Sequence, residues 1–428
     1  MNHGHASGLA PGVRKREVWS WALYDFANSG YTTVVITALF SAYFVAEVAG
    51  NEPWATFAWT SALAVSYALI MFTAPLLGAW ADRHAAKKRL LLLTTAGCVL
   101  FTAALSLVGR GDVAAAMVLI VLSNYFFGSG ENLIAAFLPE LARGEALGRV
   151  SGWGWGLGYL GGLAALGLCL AYVSHAQAAG AGAAEFVPVT MLITAGLFVL
   201  ASTPTFVFLR ERARPRPDVT AISLRALASA ALRVLREFAD LRRFLLCLLC
   251  YQAGIQTVIA LAAIYAQQAM GFTLRDTLQL ILVVNITAAI GALGFGHVQD
   301  RLGHVRSIGV VLAGWIVTVL LAWSADSAGL FWLAANCVGL CLGSSQSAGR
   351  ALVGWFSPAG REAEFFGLWG LAVKCSSILG PLTYGAVSWL TGGDHRLAML
   401  ITGGYFVVGL LLLGGIDAGR GRRAAEQG

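Results

Sequence analysis

The feature that most constrains this chain is a series of long apolar stretches that recurs from one end of the sequence to the other. A helix needs about 20 apolar residues to cross the hydrocarbon core of a bilayer. Only 12% of the 428 residues are charged, whereas a soluble domain carries about 25%. A β-barrel would alternate polar and apolar residues, so the pattern predicts an all-α membrane protein with twelve transmembrane helices. The stretches lie near residues 18–46, 54–80, 90–109, 113–138, 151–174, 187–209, 244–269, 277–298, 306–324, 328–352, 365–390 and 396–416.

Basic residues are distributed unevenly between the connecting segments. If the amino terminus lies inside, 24 of the 29 lysines and arginines fall in inside segments, and only Arg110, Arg275 and Arg396 fall outside. This asymmetry predicts that both termini are cytoplasmic, in a multi-pass protein that we expect in a bacterial cytoplasmic (inner) membrane. Topology therefore explains the net charge of +7, and no nucleic-acid partner is expected. The first apolar stretch is too long for a signal peptide and lacks a cleavage site, which favours a retained helix.

Two similar segments indicate an internal repeat. GAWADRHAAKK (78–88) follows the second apolar stretch, and GHVQDRLGHVR (296–306) follows the eighth. The aspartates of the two segments are 218 positions apart, which fits a six-helix unit that occurs twice. We therefore predict a first six-helix bundle over 1–209, a cytoplasmic linker over 210–242, and a second bundle with a short tail over 243–428. Within the linker, residues 223–238 suit either an amphipathic helix on the inner membrane surface or a solvated connection.

The repeated Gly-x-x-x-Asp-Arg pattern has a mechanical interpretation. The glycine lets two helices approach closely, the aspartate can cap a helix end, and the arginine can pair with the aspartate or with a lipid phosphate. Such contacts would form a latch that breaks when the two halves move. The alternative is that the basic residues only anchor the helices on the inside. The latch residues are Gly78, Asp82, Arg83, Asp300 and Arg301.

Polar residues also occur in the middle of apolar stretches. In the first stretch, which contains WALYDFANSGYTT, Asp25 and Asn28 lie on one helical stripe. In the fourth, Glu131 lies at a similar depth, next to Asn132. A charge at that depth costs roughly 2.5–3.5 kcal/mol on insertion scales, so these side chains are expected to face a cavity or a partner.

The second half contributes polar groups of the opposite charge. Arg350 lies in the tenth stretch and Lys374 in the eleventh. A cavity with carboxylates on one wall and cations on the other suits a zwitterionic solute. The alternative is that these charges pair and hold the two halves together. Four amides complete the predicted substrate and proton pathway: Gln252, Gln256, Asn336 and Gln346.

No cofactor or metal site is expected. Cys247 and Cys250 form a C-x-x-C spacing without a second pair of ligands. GLGYLG (156–161) matches a dinucleotide-binding pattern only formally, because no strand precedes it. The glycines at 154, 158 and 162 instead have the spacing of closely packed membrane helices. All seven histidines lie outside the apolar stretches or at their ends, and H-E-x-x-H and G-x-S-x-G are absent, which argues against an enzyme.

Several segments resemble a known family. WALYDFANSGYTTVV, AAFLPEL, SGWGWGLGYLGG, QSAGRALVGWFSP and EFFGLWGLAVKCSSILGP are similar to the autophagy-related vacuolar amino-acid effluxers and their bacterial relatives in the major facilitator superfamily. The resemblance implies two six-helix bundles, alternating access, and a cavity lined by the first, fourth, seventh and tenth helices. One departure is Ala135, where the family usually has Tyr-Asn. Specificity is expected to differ if that asparagine contacts substrate in the relatives.

These observations predict a monomeric secondary active transporter for a small amino-acid-like solute, surrounded by membrane lipid and coupled to protons. Asp25 is the expected proton carrier, with Asn28 as its hydrogen-bond partner. Glu131 is the other candidate and the expected contact for a solute amino group, while Lys374 or Arg350 meets the solute carboxylate. The alternative function is a flippase or exporter of lipids or other amphiphiles on the same fold.

Overall fold

The computed structural model describes residues 8–50, 52, 54–144, 146–215, 224–268, 270–272, 274–392 and 394–427. In this part of the chain, eleven helices are long and apolar enough to cross a membrane. The helix Ala239–Gln268 occupies the position of the predicted seventh span. The prediction of an all-α membrane protein is thereby confirmed.

We number the membrane helices α1 to α12 along the chain. The linker helix, Leu224–Glu237, precedes α7, and the tail helix, Ala418–Gln427, follows α12. The predicted span ends differ from the observed ones by a few residues, since several helices extend beyond the apolar core. The membrane helices are α1 Lys15–Val48, α2 Ala55–His84, α3 Lys87–Ala104, α4 Val113–Ala135, α5 Ala146–Ala178, α6 Ala183–Phe208, α7 Ala239–Gln268, α8 Leu274–Leu302, α9 His304–Trp323, α10 Ala328–Phe356, α11 Glu362–Leu390 and α12 His395–Leu413.

The internal repeat reappears in the way the helices pack. In the first half α1 packs against α5 and α6, α3 packs against α4, and α2 also contacts α4. In the second half α7 packs against α11 and α12, α9 packs against α10, and α8 also contacts α10. Each half is therefore a six-helix bundle with the same internal arrangement.

Glycines on α5 set its close approach to α1. A Cβ atom at Gly158 would lie 2.9 Å from the hydroxyl of Ser29, and one at Gly161 would lie 2.6 Å from the Cα atom of Phe26. Only a residue without a side chain permits this backbone contact, which is typical of membrane helices that pack through small residues. The glycines at 154, 158 and 162, whose spacing predicts close packing, all face α1, since a Cβ atom at each would lie within 3 Å of an atom of that helix.

The carboxyl-terminal part of α1 departs from regular α-helical geometry. After the regular segment Lys15–Tyr31, the turns Thr32–Ala38 and Phe44–Val48 are π-helical. Such π-helical turns are rare in proteins, and those that occur are often found at functional sites. They lie beyond Asp25 and Asn28, and the apolar pattern of the sequence contains no signal for them.

The two halves meet at the membrane side that carries residues 8–14 and 414–427, which we call the terminal side. There α2 packs against α11, and α5 packs against α8 and α10. A Cβ atom at Gly78 would lie 2.6 Å from the carbonyl carbon of Ala363, and one at Gly296 would lie 2.7 Å from the carbonyl oxygen of Gly148. The first glycine of each repeated segment thus touches the backbone of the opposite half, and the terminal side is closed.

Candidate solute pathway and gate

An ion pair joins the two halves in the first third of α1. The Arg350 guanidinium of α10 donates to the Asp25 carboxylate at 2.6 Å. The Arg350 side chain is only 3% exposed. Because a buried charge is tolerated only with a partner, each of these residues makes the other acceptable at this depth.

Each of the three guanidinium nitrogens of Arg350 has a partner on the first half. Its Nε donates to the Ser151 hydroxyl at 3.1 Å, and a terminal nitrogen donates to the Ser151 carbonyl at 2.8 Å. The rings of Trp21 and Trp155 lie 4.7 and 5.4 Å from the guanidinium carbon, within cation–π range. A Cβ atom at Gly154 would collide with both Arg350 and Asp25, so this glycine makes room for the pair.

A second ion pair joins α4 of the first half to α11 of the second half. Lys374 of α11 lies 3.4 Å from the carboxylate of Glu131 on α4, and its ammonium group lies 5.3 Å from the centre of the Tyr67 ring. The side chain of Glu131 is 27% exposed and that of Lys374 is 10% exposed. Since the terminal side is closed, this exposure indicates a cavity that opens toward the opposite side. The pair is longer and more accessible than the pair of Asp25 and Arg350.

Several buried amide groups lie near these pairs without partners. In the described part of the chain, neither polar atom of the Asn132 side chain has a hydrogen-bond partner, and the same holds for Oδ1 of Asn28. A Cβ atom at Gly370 would collide with Asn132, so this amide lies against α11. Buried polar groups normally have partners, which makes these amides candidates for contacts with a solute or water.

The remaining predicted pathway residues lie in the second half. Gln252 donates to the Oε1 of Gln346 at 2.7 Å, which joins α7 to α10. The Oε1 of Gln252 has no partner among the described residues. Gln256 is partly exposed one turn further along α7. Asn336 instead donates to the carbonyl of Trp332 in its own helix, at 2.8 Å, so the structure does not join it to the ion pairs.

The aspartates of the two repeated segments make equivalent contacts across the interface. Asp82 accepts a hydrogen bond of 2.8 Å from the backbone N–H of Glu364, in the first turn of α11. Asp300 accepts one of 3.1 Å from the backbone N–H of Arg149, in the first turn of α5. A carboxylate at a helix amino terminus satisfies free N–H groups and interacts favourably with the helix dipole. The arginines are placed differently: Arg83 is partly buried and Arg301 is exposed.

A buried lysine, which the sequence analysis missed, adds a further contact between the halves. Lys87, at the start of α3, has no exposed side-chain surface and lies 3.1 Å from Glu362 of the second half. It also contacts Glu140, while Asp82 is 3.8 Å away. We call these four residues the Lys87 cluster. The run of charges after Asp82 suggested only membrane anchoring, and Glu140 and Glu362 gave no local signal because their partner is distant in sequence.

Among the residues that the structure describes, no group of three or more His, Cys, Asp or Glu side chains is placed to hold a metal ion. The site is therefore built from ion pairs, amides and aromatic rings. Groups of these kinds can bind a charged or polar molecule, and the ion pairs connect the two halves.

A family model described as "Vacuole effluxer Atg22 like" matches residues 55–148 and 145–426. The chain belongs to this family. It is similar to the "Uncharacterized MFS-type transporter YxiO" of Bacillus subtilis, with 26% identity over 92% of this chain and 93% of that protein. It is also similar to "Autophagy-related protein 22" of Cryptococcus neoformans, with 28% identity over 45% of this chain and 38% of the fungal protein. The predicted resemblance is confirmed.

Solved structures with the same fold agree with this assignment. The human organic anion transporter MFSD10 has a TM-score of 0.74 and 17% identity, covering 93% of this chain and 99% of that one. A bacterial homologue of the iron transporter ferroportin, in an outward-facing state, has a TM-score of 0.70 and 16% identity, covering 94% and 99%. The protein is a multi-pass integral membrane transporter of the major facilitator superfamily.

Proposed function

We propose that this family member moves a small zwitterionic, amino-acid-like solute by alternating access, coupled to protons. The observation that supports this most directly is the difference between the two ion pairs. The pair of Asp25 and Arg350 is short, and each nitrogen of the arginine has a partner, whereas the pair of Glu131 and Lys374 is longer and more exposed. One pair suits a gate, and the other suits a solute site.

The solute would lie between Glu131 and Lys374. A zwitterion carries an ammonium group that the carboxylate can accept and a carboxylate that the lysine can bind, so it replaces the ion pair without leaving a charge unpaired. Arg350 is a poor candidate for the solute carboxylate, because its side chain is buried and each of its nitrogens already donates to Asp25 or Ser151. Asn132 lies next to Glu131 in sequence, and its unpartnered amide can add contacts to the solute.

Proton coupling would follow from the position of Arg350, the partner of Asp25, on the opposite half. Arg350 belongs to the opposite half, so Asp25 keeps this partner only while the terminal side is closed. When the halves separate there, the carboxylate remains at membrane depth without its cation, and uptake of a proton becomes favourable. Closing again requires the proton to leave. In this way protonation and conformation are linked.

The contacts of the terminal side would act as the latch of this cycle. Asp82, Asp300 and the Lys87 cluster all join one half to the other, and all must separate when the cavity opens to the terminal side. Export is the favoured direction because the family is described as vacuole effluxers. The solute class rests on the charges of the cavity and on the amino-acid efflux that the resemblance implies.

Binding of three matched ligands to the purified protein tests the solute site. The amino acid that stabilises the protein most is chosen first. The three ligands are this amino acid, its amide, which lacks the carboxylate, and its analogue that lacks the amino group. Lys374→Gln should weaken binding of the amino acid at least tenfold but leave the amide unaffected. Glu131→Gln should weaken binding of the amino acid but leave the analogue without the amino group unaffected.

Ser377→Ala provides the matched control on α11, because the Ser377 hydroxyl donates to its own helix at Val373. This variant should bind all three ligands like the wild type. Equal weakening of all ligands by both charge variants would assign the pair to structure and contradict the proposed site. Transport of phospholipid but of no amino acid in proteoliposomes would favour the alternative, a lipid flippase.

A further inference from the structure

A groove on the exposed surface of the first half is separate from the proposed solute pathway. It has a volume of about 560 Å³ and is lined by Thr73, Leu76, Leu77, Trp80, Arg83, His84 and Tyr125. All of these except Tyr125 belong to α2, and Tyr125 belongs to α4. This volume falls within the roughly 300–1,000 Å³ that is usual for sites of small molecules.

The groove follows one stripe of α2 for the depth of a single leaflet. From Thr73 to His84 the helix rises roughly 16 Å at 1.5 Å per residue. Half of the hydrocarbon core of a bilayer is about 15 Å thick. The groove therefore extends from the middle of the membrane to the headgroup region on the terminal side, which is the length of one acyl chain.

The two ends of the groove differ in chemistry. The deep end is formed by Leu76, Leu77 and the ring of Tyr125. At the headgroup end, the ring of His84 stacks on Trp80 with centres 4.4 Å apart, and its Nδ1 is 2.9 Å from the Trp80 carbonyl oxygen. Arg83 adds a cation whose planar guanidinium suits a phosphate group. An exposed tryptophan at this depth is typical of the membrane interface.

We propose that this groove binds one anionic glycerophospholipid of the leaflet on the terminal side. The acyl chain lies along Leu76 and Leu77, and the phosphate is bound by Arg83 beside the ring pair of Trp80 and His84. If the terminal side is cytoplasmic, as the basic residues predict, this leaflet has the negative surface potential that attracts such cations.

The lipid binds at the surface of the protein. The groove stripe differs from the stripe of α2 that contacts the second half. On that other stripe, a Cβ atom at Gly367 of α11 would lie 2.7 Å from the Ala74 carbonyl oxygen, and Gly78 touches Ala363. A lipid in the groove thus supports the helix that carries the latch without entering the cavity between the halves.

The second half offers a matched comparison. Arg301 occupies the position of Arg83 in the repeated segment, on the same side of the membrane. The positions that correspond to Thr73, Leu76, Trp80 and His84 are Gly291, Gly294, Val298 and Leu302. The second half therefore has an arginine at the corresponding position, but it has neither the pair of aromatic rings nor a leucine at the position that corresponds to Leu76. Arg301→Gln removes an equivalent charge without altering the groove.

Thermal unfolding of the purified full chain in a neutral detergent tests the proposal. Three additions are compared at equal concentration: phosphatidylglycerol, phosphatidylcholine with the same acyl chains, and glycerol phosphate. Phosphatidylglycerol should raise the Tm of the wild type, and the other two should raise it much less. At least half of the shift should be lost in Arg83→Gln and retained in Arg301→Gln. Native mass spectrometry should show one phosphatidylglycerol retained by the wild type and none by Arg83→Gln.

A second variant keeps the charge and fills the groove. In Leu77→Trp, phosphatidylglycerol should no longer raise the Tm, even though Arg83 is present. If Arg83→Gln does not fold, this variant alone tests whether the lipid binds in the groove. An equal shift with phosphatidylcholine would overturn the proposal, because the site would not select a negative charge. An equal shift with glycerol phosphate would overturn it as well, because the acyl chain would not be bound. An undiminished shift in Leu77→Trp would place the lipid elsewhere.

Discussion

Arg350 donates to Asp25 at 2.6 Å across the boundary between the two halves of the protein. The pair connects α1 to α10, and it is further held by the hydroxyl and carbonyl oxygens of Ser151 on α5. Removing one member of a buried pair leaves the other charge uncompensated. Under the proposed function, the position of this pair would link the protonation of the Asp25 carboxylate to the closure of the terminal side.

Asp25→Asn is expected to abolish solute accumulation driven by a pH gradient while leaving solute exchange intact. An amide cannot take up and release a proton, but exchange requires only that the loaded protein reorients. The measurement is uptake of labelled solute into proteoliposomes, with a pH gradient in one arm and with unlabelled solute inside in the other.

Glu47→Gln is the matched control for this variant, because Glu47 lies at the opposite end of α1 and outside the pair. It should accumulate solute like the wild type. Gradient-driven accumulation at the wild-type rate in Asp25→Asn would assign Asp25 to structure and remove it from the coupling step.

The membrane topology predicts the labelling of two introduced cysteines, each in a background without native cysteines. Ala181→Cys, between α5 and α6, should react with an impermeant thiol reagent added to intact cells. Ala359→Cys, between α10 and α11, should react only after the cells are made permeable, because the positive-inside asymmetry predicts that the terminal side is cytoplasmic. The reverse pattern would invert the orientation of the chain.

The fold could be predicted from the sequence because its main determinants are local. Each apolar stretch indicates a helix by itself, and the spacing between Asp82 and Asp300 indicates the repeat. The two aspartates then make equivalent contacts with helix amino termini of the opposite half. The sequence also identified Asp25 and Arg350 as charges that need partners.

What the sequence could not provide is the pairing of distant residues. Asp25 and Arg350 are separated by 325 positions, and the depth of a residue along its helix does not determine which partner it meets. Lys87 resembled an anchoring charge because it stands among other basic residues at a helix start. Only the contacts of the start of α3 with Asp82, Glu140 and Glu362 reveal that its side chain is completely buried.

Gly296→Ala is expected to favour the state in which the terminal side is open. The added Cβ atom would lie 2.7 Å from the carbonyl oxygen of Gly148 and 3.1 Å from the Cα atom of Arg149, so closure would require the backbones to separate. The measurement is the rate at which a thiol reagent labels Ser347→Cys in a background without native cysteines. Ser347 is buried, and its hydroxyl donates to the Gly148 carbonyl at 3.4 Å.

Gly294→Ala is the control, two positions away on α8. Among the described residues, no atom beyond its chain neighbours and the nearby backbone of α8 lies within 4 Å of a Cβ atom at this position, so labelling at residue 347 should remain slow. Equally slow labelling in Gly296→Ala would contradict the role of this glycine in closure. Equally fast labelling in Gly294→Ala would indicate that any change on α8 disturbs the interface.

Lys87→Met tests the charge balance of the Lys87 cluster. The wild-type cluster places one ammonium group among three carboxylates, those of Asp82, Glu140 and Glu362. Without the ammonium group, buried carboxylates repel one another, and loss of one partner from a buried pair costs about 3–5 kcal/mol. We therefore expect a clear fall in the Tm of the purified protein at neutral pH.

The same variant has a predictable pH dependence. Repulsion exists only while the carboxylates are ionised, so proton uptake at lower pH should relieve it, and the difference in Tm from the wild type should shrink as pH falls. Arg89→Met removes an exposed charge from the same end of α3 and should change the Tm little at any pH. A Tm deficit in Lys87→Met that stays constant with pH would show that the lysine stabilises the protein through packing, and the electrostatic account of this contact between the halves would be wrong.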